Sequence, residues 1–104
     1  MERFYDNLWD LIQKPYVMDL LIYIRDHPNS SKSEIIGVGN ERTRYLRLVD
    51  LEEWKLIIVD PPSGQFNSCK VRLSEDGRII VDLMSKLREQ IIKFGENLDD
   101  QVQS

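Results

Sequence analysis

Arg42, Thr43, Arg44 and Arg47 fall within six positions of one another, opposed only by the neighbouring Glu41. Side chains of these types can contact base edges: a guanidinium grips guanine O6 and N7 with two parallel hydrogen bonds. Leu46, set among them, could meet a thymine methyl. Ser31, Lys32 and Ser33 suit phosphate anchoring through hydroxyls and the N–H groups of a helix start. Gln65, Asn67, Lys70 and Arg72 form a further polar set, and no acid lies between Pro61 and Leu73. Each set also has a plainer reading: a solvated charged face for the arginines, ordinary helix capping for the serines, a hydrated strand surface for Lys70 and Arg72.

Other chemistry finds little support. His27 is the one histidine, beside Pro28 in an expected turn, and Cys69 is the one cysteine. Together they make neither an intrachain disulfide nor a soft metal site. There is no Cys/His or Ser/His pair for nucleophilic catalysis and no phosphate-cradling glycine loop. No metal, no cofactor and no enzymatic activity are therefore expected. Cys69 reads as a small strand residue, with redox sensing as the alternative. Tyr5, Trp9, Tyr16 and Tyr23 read mainly as core packing, or else as the lining of a pocket beside the last helix.

The reading residues need elements to hold them. Phe4, Leu8, Leu11 and Ile12 recur at helical spacing and predict a first helix over 3–13. Lys14-Pro15 breaks it, and Val17, Leu20, Leu21 and Ile24 then form a second apolar stripe that closes at His27-Pro28-Asn29-Ser30. Ser31-Lys32-Ser33-Glu34 has the form of a capping box, opening a short helix through Ile35 and Ile36. Gly37-Val38-Gly39 permits a tight turn. Asn40 then caps a helix over 41–54 that should bury Tyr45, Leu48 and Leu51. Leu56-Ile57-Ile58-Val59 and Cys69 to Leu73 read as two strands around Pro61-Pro62-Ser63-Gly64.

Ser74 caps a long last helix. Ile80, Met84, Leu87, Ile91, Phe94 and Leu98 step along it by four, three, four, three and four, which is a heptad seam suited to a second copy. A core stripe within one chain accounts for Ile79, Ile80 and Leu83, and leaves Ile91 to Leu98 uncovered.

The order of these elements resembles winged helix-turn-helix transcriptional regulators of the MarR and PadR type, found in archaea and bacteria. The resemblance runs over about 14–94. Lys14-Pro15-Tyr16-Val17, Ser31 to Ile35, Glu41-Arg42-Thr43, Leu48 through Leu51-Glu52-Glu53 to Leu56-Ile57, and Leu73-Ser74-Glu75-Asp76-Gly77-Arg78 carry it. It implies a homodimer that binds double-stranded DNA, with helix 41–54 in the major groove and the hairpin wing, 56–73, beside it. Trp54-Lys55 stands where these regulators usually have a small residue and glycine. Arg44 stands where an apolar core residue is common, so its stem could run along the protein surface.

Size and charge fit a single domain of mainly α class with a small β-hairpin and a long C-terminal dimerisation helix. The 104 residues are 41% hydrophobic and 31% charged, with a formal net charge of -4. Glu96, Asp99 and Asp100 lie in an acidic stretch over 96–104, expected to fray; without them 1–95 carries 14 basic against 15 acidic residues. Local field governs phosphate contact more than net charge does. The N-terminus lacks the basic start and apolar block of a secretory signal, and no apolar run reaches the length of a membrane span. A cytoplasmic regulator is expected, with no membrane partner and no effector ligand indicated. The alternative, from the acidic balance, is a winged helix used for protein–protein assembly without DNA.

Overall fold

The computed structural model describes residues 7–62 and 68–103, and for 99–103 the backbone alone. Phe4, Tyr5, Gln65 and Asn67, named above, lie outside the described residues. The element order is α1 (Leu8–Ile12), α2 (Val17–Asp26), α3 (Lys32–Ile36), α4 (Glu41–Glu53), β1 (Ile57–Asp60), β2 (Lys70–Leu73) and α5 (Glu75–Gln103).

α2 is the central helix: α1, α3, α4, α5 and β2 all pack on it. Its stripe Val17, Leu20, Leu21 and Ile24 is buried, and meets Leu11, Ile35, Leu48, Leu51, Leu56, Ile57, Val71, Leu73 and Val81 in one core. The hairpin is antiparallel, pairing Ile57 with Leu73, Ile58 with Arg72, Val59 with Val71 and Asp60 with Lys70. Two strands alone would be barely stable. Here β2 is bonded on its other side as well: Val71 N–H donates to Ser30 O and Asn29 N–H to Val71 O, both at 2.9 Å. The hairpin is thereby fixed to the turn that leads into α3.

Local chemistry explains most boundaries. Ser31 Oγ accepts the Glu34 N–H at 3.2 Å, and Glu34 Oε1 accepts the Ser31 N–H at 3.4 Å, closing the expected capping box. Gly37 and Gly39 take φ of 66° and 92°, left-handed values that a β-carbon disfavours, and so turn the chain from α3 into α4. Lys55 takes φ 62° just past the α4 C-cap, the place where helices commonly put glycine. The backbone there is that of a glycine cap although the residue is lysine, and Trp54 is half-buried against the core.

α5 enters through a tight junction. Ser74 N–H donates to Leu56 O at 3.0 Å, while Ser74 Oγ donates to Lys55 O at 2.7 Å and accepts the Gly77 N–H at 3.0 Å. Gly77 is buried directly against the Leu56 carbonyl.

Four expectations need correction. Asn40 sits at the N-cap of α4 in a left-handed conformation, φ 54°, and its side chain caps nothing; with that backbone its oxygen is turned from the helix start. Tyr45 is 47% exposed, because Leu48 and Leu51 already fill the buried side of α4. Ile79 and Leu83 are exposed: the core takes Val81 and, in part, Ile80, which lie on another side of α5. Trp9 is 66% exposed and lines a groove beside α5, the alternative to core packing.

Candidate nucleic-acid interface

The start of α3, the outer side of α4 and the first strand border a single narrow crevice. Lys32, Tyr45, Val49, Glu52 and Val59 line it, over Leu48, Ile57 and Val71 beneath. One continuous surface therefore holds Lys32 and α4, with Ser33 exposed nearby in sequence and Lys70 and Arg72 exposed on β2. Arg72 Nε donates to Asp60 Oδ2 at 3.0 Å across the hairpin, which holds this guanidinium over the strand pair. Ser31 is committed to the capping box, so its hydroxyl serves the helix first.

α4 distributes its three arginines unevenly. Arg42, in the first turn, is exposed. Arg44 folds back: its Nη1 donates to Ile36 O at 2.8 Å and its guanidinium lies 5.1 Å from the centre of the Tyr16 ring. Arg44 Nε is buried without a hydrogen-bond partner. Its stem thus runs along the protein surface, while its head fastens the end of α3 to the start of α2. Tyr16 itself holds φ 73°, a strained value for a tyrosine that these contacts help to maintain.

Arg47 was expected on the outer side of α4, and the structure corrects this. Its side chain is only 15% exposed; Nε donates to Pro15 O at 3.4 Å and Nη1 lies 3.9 Å from Asp50 Oδ2. Burial pushes the Asp50 carboxyl above its ordinary range, with Arg47 drawing it back down and Glu53 adding to the rise. The reason for the inward turn is tertiary: the Lys14-Pro15-Tyr16 break places the Pro15 carbonyl beside α4. Thr43 is half-buried.

The outer side of α4 is accordingly formed by Glu41, Arg42, Tyr45, Leu46, Glu52 and Glu53, with Val49 half-buried among them. Tyr45 and Leu46 are each 47% exposed. Of the residues singled out on α4 from the sequence, Arg42 and Leu46 are exposed on this side, whereas Thr43, Arg44 and Arg47 are half-buried.

The anchoring role of Arg44 gives a stability difference. Arg44→Ala should cost about 1–3 kcal/mol, through lost packing of the stem and an unpaired Ile36 carbonyl. Arg42→Ala should stay within about 0.5 kcal/mol of the parent. Urea midpoints compare the two; equal midpoints would show that Arg44 is not an anchor.

On the opposite side of the molecule the seam residues divide. Ile80 and Met84 are half-buried, whereas Leu87, Ile91, Phe94 and Leu98 are 58, 60, 66 and 60% exposed. A groove of about 320 Å³ runs between α1 and α5, bounded by Leu8, Trp9, Ile12, Ile80, Leu83, Met84 and Leu87. Among the described residues no cluster of three His, Cys, Asp or Glu side chains could hold a metal ion. No described helix is long and apolar enough to cross a membrane. His27 is exposed and stacks on Tyr23, ring centres 4.3 Å apart. Cys69 is half-buried and outside any disulfide.

No protein-family model and no curated protein sequence matches the chain. Solved structures do resemble it. FabT of Streptococcus pneumoniae, determined in complex with DNA, is similar with a TM-score of 0.65 and 16% identity, covering 81% of this chain and 64% of FabT. The chain thus spans a little under two thirds of the length of FabT. A possible HxlR family transcriptional factor from Thermoplasma volcanium GSS1 is similar with a TM-score of 0.70 and 18% identity, covering 91% and 87%. The fold is a winged helix-turn-helix, mainly helical, with a two-stranded wing and a long C-terminal helix, as in these two structures.

Proposed function

We propose that this chain is a DNA-binding transcription regulator that works as a homodimer. α4 is presented to the major groove, the wing lies beside it, and α5 joins two copies through Leu87, Ile91, Phe94 and Leu98, flanked by Ile80 and Met84. The observation that carries the reading is the shared surface of α3, α4 and β1, with Lys32 in its crevice and Arg42 exposed at its end, on a fold that FabT brings to DNA. Ser31, Ser33, Lys70 and Arg72 suit backbone contact, as do Gln65 and Asn67 by residue type. Arg42 suits base or phosphate. Thr43, Arg44 and Arg47 contribute by shaping α4, and Arg44 and Arg47 reach bases only if their present contacts break. Two reading helices in one dimer imply half-sites about 34–36 Å apart.

Binding to fluorescent duplexes across a salt series tests this. Affinity should fall with salt, and Lys70→Ala should weaken all sequences alike while lowering the slope of log affinity against log salt by about one, the sign of one lost phosphate contact.

A second reading has its own support. The outer side of α4 holds Tyr45 and Leu46 beside Glu41, Glu52 and Glu53, a surface that phosphates repel and a basic, apolar protein partner would accept. In that reading the chain is an assembly module. Absence of duplex binding even at about 50 mM salt, where nonspecific affinity is high, would favour it.

A further inference from the structure

With Arg44 and Arg47 turned inward, α4 is left to read DNA with apolar side chains. On a helix of 3.6 residues per turn, Arg42, Tyr45, Leu46 and Val49 fall within an arc of about 100°, and they span about 10 Å of axis, close to three base-pair steps. Tyr45 and Leu46 are each 47% exposed. Neither gains anything from facing water, and neither is needed by the core, which Leu48 and Leu51 complete. The major groove offers one apolar feature to such side chains, the C5 methyl of thymine; guanine and cytosine edges there present only polar groups.

The surrounding charges reinforce the choice. Arg44 is bonded to Ile36 O and stacked over Tyr16, and Arg47 is held by Pro15 O and Asp50, so a guanine fork from either must first break these contacts. Glu41, Glu52 and Glu53 edge the same surface, and carboxylates repel phosphates. Phosphate contact along that edge is disfavoured, which leaves the apolar side chains as the groups of α4 suited to base edges. Arg42, at the N-terminal end, is the exposed cation of this surface.

We propose that α4 selects thymine by its methyl group, with Tyr45, Leu46 and Val49 as the specificity-determining residues, so that the site under α4 is thymine-rich. The proposal rests on the DNA-binding reading given above.

The test begins with selection of duplexes from a random pool by the full chain at low salt. The selected duplex is then remade with deoxyuridine in place of thymidine, one position at a time, which removes a methyl and changes nothing in the protein. Binding should weaken roughly fourfold for each methyl in contact, the value of one buried CH₂-sized group. Leu46→Ala should shrink the thymidine-to-deoxyuridine ratio at one of these positions and leave it unchanged elsewhere. Equal binding of the two duplexes at every position overturns the proposal. So does a guanine-centred consensus that is lost in Arg44→Lys or Arg47→Lys, or a Leu46→Ala chain that keeps every ratio. Failure to select any duplex removes the DNA-binding reading itself, and is distinguishable because it precedes the deoxyuridine comparison.

Discussion

Gly77→Ala should lower the melting temperature by roughly 12 °C. A β-carbon at Gly77 would coincide with the Leu56 carbonyl group. That carbonyl cannot simply move aside, because it accepts the Ser74 N–H at 3.0 Å, and Leu56 is itself 2% exposed in the core. The alternatives are to lift α5 from the α4–β1 turn or to break the Ser74 junction. Overpacking of this kind costs about 3 kcal/mol at the upper end of its usual range. Helix propensity acts the other way, since alanine is favoured over glycine by about 1 kcal/mol in a helix interior. Gly95, on the same helix, has open space around its α-carbon. Gly95→Ala should therefore be neutral or stabilising. Thermal melts of the two variants decide the matter, and equal shifts would remove the packing argument.

Paired replacement of Leu87 and Ile91 by glutamate should convert a dimer into a folded monomer. Light scattering should report twice the 12.3 kDa chain mass for the parent and 12.3 kDa for the variant. Both side chains are more than half exposed in the single chain, so their loss leaves the core around Val81 intact and circular dichroism should remain helical. Two carboxylates in an apolar seam must each be desolvated or repelled, which an interface of this size cannot tolerate. Operator affinity should drop by about a hundredfold or more, because the two half-sites no longer bind as one ligand. A parent that scatters as a monomer at high concentration ends the proposal of a homodimer.

Much of the fold was legible because its signals are local. The capping box at Ser31 and Glu34, the break at Pro15, the glycine turn at 37–39 and the long helix after Ser74 all depend on neighbours a few positions away. The candidate site was less legible. The direction of Arg47 is decided by the Pro15 carbonyl, 32 positions earlier in the chain, and that of Arg44 by Ile36 and Tyr16. Spacing alone cannot supply such partners. Tyr45 misled for a related reason: an apolar residue three positions before Leu48 looks inward on a helical wheel, but only a narrow side of α4 is covered.

The way α5 is held has a mechanical side. Its grip on the domain lies near one end, at Gly77 and Val81, while the helix runs on to Gln103 in a molecule whose longest dimension is 61 Å. From Val81 to Leu98 the axis covers about 25 Å, so a tilt of about 10° at the grip carries Leu98 sideways by roughly 4 Å. That displacement is close to the rise of one base pair. α5 is held over its first third, by Gly77, by Val81 and by Ser85, whose Oγ accepts from Arg25 Nη1 at 2.9 Å, so a small tilt there is magnified toward Leu98.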